Sequence, residues 1–108
     1  MQPCNSESPP ATDAMLAPGR AVLRLVVRNH AGVMSHICGL FARRAFNVEG
    51  ILCLPLPDDR HSVVLLLVNE DERLEQMIRQ LCKLEDVRTV ERRPTDFVAF
   101  TSAANYLR

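Results

Sequence analysis

RNHAGVMSHICGLFARRAFNVEG, residues 28–50, joins a polar glycine turn to an amphipathic helix and then to the start of a strand. Val33, Ile37, Leu40 and Phe41, with Met34 and Cys38 beside them, recur at helical spacing over 33–45 and define one apolar stripe. Arg43 and Arg44 fall in the last turn, where cations complement the helix dipole. Immediately upstream, AVLRLVVR (21–28) sets Leu23, Leu25 and Val27 against Val22, Arg24, Val26 and Arg28, the period of a strand. Residues 29–32 therefore read as a strand-to-helix turn whose first helical N–H groups lack intrahelical partners, a ready place for an anion.

Working outward, residues 47–56 form a second strand that is substantially apolar on both faces, and Pro55, which cannot donate to a ladder, favours an edge position. The turn at 57–60 leads into HSVVLLLVN (61–69), whose six successive aliphatic residues predict a central strand buried on both sides. Asn69 and Glu72 have capping-box spacing, and Glu70, Asp71 and Glu72 suit a helix start. Leu74, Met77, Ile78 and Leu81 give the second helix its stripe, and VRTVER (87–92) is a short last strand. The order βαββαβ predicts an α+β, ferredoxin-like sandwich: a four-stranded antiparallel sheet with two helices on one face.

That architecture leaves the other face carrying Val22, Val26 and alternate residues of 63–68, an apolar patch that needs cover. The edge strand 47–56 invites pairing with a second copy. Residues 1–20, rich in Pro and small polar side chains, are expected to be a disordered leader, 21–93 the folded domain, and 94–108 a tail too apolar to be idle, expected to contact a partner.

Apolar residues make up 47% of the 108 and charged residues 24%, while Trp is absent and aromatics reach only 5%, so aliphatic side chains must build the core. Thirteen basic residues balance thirteen acidic ones, which removes any overall electrostatic case for nucleic acid or an anionic membrane. The N-terminal stretch has no basic segment followed by a long apolar one, so a cytosolic protein without a membrane span is expected. Cys4, Cys38, Cys53 and Cys82 show no CxxC spacing; three lie in apolar runs and read as buried free thiols.

No catalytic constellation is present. His30, His36 and His61 lie on a turn, a helix and a strand start without metal-ligand spacing, and read as surface histidines. Asp58 and Asp59 sit in a Pro-led turn, where Asp is favoured for local hydrogen bonds. The turn 29–34 supports two readings. In one, Asn29 caps the helix and Gly32 permits a tight approach. In the other, the N–H groups of Gly32, Val33 and Met34 donate to a carboxylate, the Asn29 carbonyl accepts from an ammonium, and Val33, Val48 and Ile51 line a dry pocket for a branched aliphatic side chain. Asn47 either caps its strand or reaches across a dimer seam to a ligand in the neighbouring turn. Gly39, costly in mid-helix, predicts close packing against another element.

NHAGVMSHICGLFARRAFNVEGILCLPL, followed by RLEQMIRQLCKLEDV, closely resembles the small regulatory subunits of acetohydroxyacid synthase (acetolactate synthase), in their short, valine-responsive enterobacterial form. The likeness covers about residues 21–93, and these subunits are ACT domains with the βαββαβ fold. It implies a non-catalytic partner that activates a large catalytic subunit and confers feedback inhibition by valine. It also implies a homodimer with the effector at its interface, held by Asn29, Gly32, Val33 and Met34 of one copy and by Asn47 and Val48 of the other. Thiamine diphosphate, Mg2+ and FAD would belong to the large subunit, with no cofactor in this chain. Members often carry Pro or Ser where this chain has Ala31, and longer relatives have a second C-terminal domain that a chain this short is not expected to hold.

Other functions fit the same element order. An RNA-recognition motif needs aromatic residues on its central strands, and AVLRLVVR and HSVVLLLVN have none. An acylphosphatase-like enzyme would need an Arg suitably placed after the glycine and a positioned base, neither of which is evident. A free-standing ACT-domain amino-acid sensor acting on another enzyme is the nearest alternative.

Overall fold

The computed structural model describes residues 4–5 and 19–108. Its strands are β1 (Cys4–Asn5), β2 (Arg20–Arg28), β3 (Val48–Pro55), β4 (His61–Asn69) and β5 (Val87–Arg92); its helices are α1 (Val33–Arg43), α2 (Leu74–Cys82) and α3 (Phe97–Leu107). The expected four-stranded antiparallel sheet is present in the order β5-β2-β4-β3, with β1 added in parallel beyond β5. Most of the expected leader lies outside the described residues; within it, Cys4 and Asn5 pair with Val90 and Glu91.

Alternation assigns the faces. Leu23, Leu25 and Val27 of β2, Val64, Leu66 and Val68 of β4 and Val90 of β5 point to one side, where the stripes of α1 and α2 meet them in one buried cluster. β4 is central, as its aliphatic run predicts, and β3 is the edge that Pro55 predicts. Its outer residues Ile51 and Leu54 remain exposed.

The opposite face is not bare. Pro94–Asp96 form a 3-10 turn that redirects the chain, and α3 lies across the sheet so that Phe97 and Phe100 bury Val22 and Leu67, with Leu52 and Leu65 beside them. The tail therefore supplies part of the cover that the apolar face needs. Gly50 makes the fit: a Cβ there would stand 3.0 Å from the Phe100 ring. A groove of about 310 Å3 remains between α3 and the β3–β4 side of the sheet, lined largely by Leu52, Leu54, Val63, Leu65 and Val98.

Helix ends depart from the simplest reading. The Asn69–Glu72 capping box does not form, because Asn69 still belongs to β4. Asp71 instead accepts the Arg73 backbone N–H at 2.7 Å, just before α2 begins. α1 stops at Arg43 in a Schellman arrangement: Phe46 N–H bonds to the Phe41 carbonyl at 2.9 Å and Ala45 N–H to that of Ala42 at 3.0 Å, with Ala45 left-handed at φ 52. The Phe41 and Phe46 rings meet edge to face at 5.7 Å, and the Arg73 guanidinium lies over Phe46 at 4.9 Å.

Among the described residues Cys38, Cys53 and Cys82 form no disulfide, as expected, but Cys38 and Cys53 are exposed rather than buried. An apolar run does not decide the exposure of one residue: Cys38 follows Ile37 around the helix, out of the stripe, and Cys53, although paired with core-facing Val64, lies on the edge strand where the cover ends. Gly39 likewise packs against no other element among the described residues; a Cβ there would meet only the Arg43 guanidinium, at 3.3 Å.

Candidate functional site

The turn between β2 and α1 is tied to its surroundings by backbone first. Arg28 N–H donates to the Asp86 carbonyl and Asn29 N–H to that of Arg60, each at 2.8 Å, so the turn is gripped between the α2–β5 connection and the β3–β4 hairpin. Gly32 stands at the start of α1 with φ 96, a left-handed conformation that favours glycine. Asn29 does not cap the helix: its side-chain N–H donates to the Asp59 carbonyl at 3.1 Å, and its own side-chain oxygen has no donor among the described residues.

The expected donors divide. Val33 N–H is taken by the His30 carbonyl at 3.3 Å, whereas among the described residues the N–H groups of Gly32 and Met34 have no acceptor. Two N–H groups at a helix start and a free amide carbonyl three residues earlier are complementary to the two ends of an amino acid zwitterion. The Val33 side chain is buried in the main core, and Met34 is half-buried against it.

Asn47 and Val48 stand elsewhere. Asn47 precedes β3 and donates to the Glu49 carboxylate at 2.6 Å; Val48 is half-buried against the main core. Val48 pairs with Val68, which pairs with Ala21, while the turn follows Arg28 at the other end of β2. The two halves are thus separated by most of a strand, roughly 20 Å at ordinary rise per residue. Within one protomer they do not meet, and Ile51 is 40% exposed.

Beside the turn lies a group that the sequence did not announce. Asp86, buried at the α2–β5 connection, places Oδ2 2.7 Å from His30 Nε2 and 3.6 Å from His36 Nδ1, and Oδ1 3.8 Å from an Arg28 guanidinium nitrogen. The hydrogen bond from His30 is the leading reason that the Asp86 carboxyl is held below its ordinary range, and the same bond raises the His30 imidazole. His30 and His36 are surface residues as expected, and both lie against this carboxylate. Their separation of fifty residues or more from Asp86 hides the cluster in the sequence.

The hairpin opposite behaves as expected of its residues. Asp58 Oδ1 accepts the N–H groups of Arg60 and His61 at 2.9 and 3.1 Å, and Oδ2 meets His61 Nδ1 at 3.0 Å, which lowers the Asp58 pKa. Between hairpin and turn opens a polar cleft of about 490 Å3, walled by Arg28, Asn29, His30, Asp59, Arg60, His61 and Arg88. Among the described residues no group of three or more His, Cys, Asp or Glu is placed to hold a metal ion, and no helix is long and apolar enough to cross a membrane.

Fold and turn together define a ferredoxin-like sandwich whose first loop presents unspent hydrogen-bonding groups. The chain belongs to the family of AHAS small subunit-like ACT domains, whose model matches residues 23–89. It is 60% identical over 87 residues to the acetolactate synthase isozyme 1 small subunit of Escherichia coli, covering 81% of this chain and 91% of that protein. The acetolactate synthase small subunit of Haemophilus influenzae is 38% identical over 69 residues, 63% of this chain and 42% of that one. Among solved structures, the acetolactate synthase small subunit of Thermotoga maritima superposes with a TM-score of 0.62 at 31% identity, over 68% of this chain and 46% of that one. The ACT domain of a GTP pyrophosphokinase from Chlorobium tepidum, 24% identical with a TM-score of 0.56 over 69% of this chain and 97% of that one, supports the fold alone.

Proposed function

We propose that this chain, regulatory rather than catalytic by its family, activates the large catalytic subunit of a cytoplasmic acetolactate synthase and makes it sensitive to valine bound at a homodimer seam. Thiamine diphosphate, Mg2+ and FAD then belong to the large subunit, and this chain supplies recognition only. The observation that carries the reading is the register of the sheet. The turn and the start of β3 lie at opposite ends of one protomer, and β3 is an edge with exposed Ile51 and Leu54. Antiparallel pairing of β3 with its twofold copy sets the start of each β3 beside the end of the other, the end at which the copy's hairpin and turn lie.

In that dimer the valine carboxylate takes the free N–H groups of Gly32 and Met34, and its ammonium faces the Asn29 carbonyl. Asn47 and Val48 of the other copy close the site. Valine inhibits because it binds one arrangement of the dimer better than another, so assembly with the catalytic subunit must reciprocally alter valine affinity.

Reconstitution with the catalytic subunit, with activity measured across a valine titration, tests the reading. Gly32→Asp, which puts a carboxylate where that of the effector must sit, and Asn47→Ala are each expected to abolish or strongly weaken inhibition. Unchanged inhibition in Gly32→Asp removes the turn from the site. Absence of valine binding by the dimer, alone or in complex, overturns the mechanism.

A further inference from the structure

The proposed valine site leaves unexplained the buried carboxylate beside its turn. Asp86 is fixed through its backbone, since its carbonyl accepts the Arg28 N–H at the end of β2. Its side chain reaches His30, and His30 is held at both ring nitrogens: Nε2 is 2.7 Å from Asp86 Oδ2, and Nδ1 is 2.6 Å from the Ala31 carbonyl oxygen. Both of those oxygens are acceptors. A neutral imidazole has one N–H and can satisfy only one of them, whereas the imidazolium satisfies both. The arrangement is that of the protonated ring.

The Ala31 carbonyl shares a peptide plane with the Gly32 N–H. Whatever grips that oxygen also sets the direction of that N–H, one of the donors at the start of α1 with no acceptor among the described residues. Gly32 has no Cβ to resist rotation of the plane, so an external hold is needed. We infer that Asp86 is a positioning residue for the effector turn: by keeping His30 as a cation bonded to the Ala31 carbonyl, it aims the Gly32 N–H at the ligand carboxylate. This rests on the proposed valine site and adds a proton to its ligand list.

The direction of the resulting pH dependence follows from linkage. Hydrogen bonds donated by the ring, to Asp86 first and to the Ala31 carbonyl second, raise the His30 pKa above the ordinary 6.5. Below the folded-state value the latch is closed; as pH rises through it, the proton leaves, one bond is lost and the peptide is released. Valine affinity falls over the same range, and valine reciprocally raises the His30 pKa. The other charged or titratable groups facing the ring are Arg28, which opposes its charge, and His36 on α1. Across the cleft stand Asp59, Arg60 and His61 from the hairpin and Arg88 from β5.

The test uses the full chain, with valine affinity measured by calorimetry from about pH 5.5 to about 8.5, a range that brackets histidine titration while valine stays a zwitterion. The His30 ring and the Gly32 amide are followed by NMR in ligand-free protein. Wild type is expected to lose about fivefold or more in affinity across the range, the low end of ordinary coupling between sites. His30→Gln, a neutral amide that does not titrate, should give a flat profile, and His36→Gln should keep the wild-type one. Asp86→Asn should lower the His30 midpoint and weaken valine binding at neutral pH. A wild-type affinity that stays flat while His30 titrates overturns the inference, as does a Gly32 amide signal that fails to follow that titration. Wild type that binds no valine at any pH refutes the site instead, and the Gly32 signal then still judges the latch.

Discussion

The two faces of the sheet are built to different standards. On one, α1 and α2 close a continuous core of strand and helix side chains that includes Leu23, Leu25, Ile37, Phe41, Leu66 and Leu81, all at most 1% exposed. On the other, α3 seats only Phe97 and Phe100 over Val22 and Leu67, and a groove stays open alongside. The first face holds the domain together; the second is a clasp that follows from it. The lesson is that the same strands, with the same alternating apolar residues, give a sealed interior or a half-covered surface according to how much helix the chain brings to each side.

Breaking the stronger face should cost most. Phe41→Ala removes a ring that packs against Phe46 within the main core, and a loss of about 4 kcal/mol in urea unfolding is expected, enough to threaten the whole domain. Phe100→Ala on the weaker face should cost less, about 3 kcal/mol, and hydrogen exchange should rise first along α3 while the amides of β2 and β4 stay protected. Uniform loss of protection would show that the clasp is an equal part of the core. Gly50→Ala presses a methyl group on the Phe100 ring and should cost about 1 to 2 kcal/mol, with chemical-shift changes centred on α3.

The smallest effect separates the core from the turn at its rim. Stability from the raised His30 pKa is complete below the ordinary 6.5 and is lost as pH rises through the folded value. Stability from the lowered Asp86 pKa is present above the ordinary 3.8 and is lost as pH falls through its folded value. Thermal unfolding across pH should therefore decline above neutrality in wild type and less so in His30→Gln. Equal profiles would place the cluster outside the folding balance.

The fold was legible because its signals are local. Alternation in 21–28, the stripe from Val33 to Phe41 and the aliphatic run 63–68 each name an element and its inward face, and Pro55 names the edge. The turn was legible for the same reason, since Asn29, Gly32 and Met34 are neighbours in sequence. What lay hidden depends on contacts between distant residues: Asp86 reaching back to His30, the Asn29 amide claimed by Asp59, and Phe100 seated on Gly50. Exposure of Cys38 and Cys53 was misread because apolar neighbours report the character of a segment, not which way one side chain points around a helix or how far cover extends over an edge strand.

Where α1 ends, an alanine occupies the left-handed position that glycine usually takes. Ala45 is kept there by two backbone hydrogen bonds below it, the Phe41–Phe46 ring pair and the guanidinium of Arg73 above, so its neighbours carry a conformation its own Cβ disfavours by about 1 kcal/mol. The chain thus stops short of its attainable stability at the joint that leads from α1 to the edge strand. An engineer seeking a tougher domain would start with Ala45→Gly, leaving both the packed interior and the turn before α1 untouched.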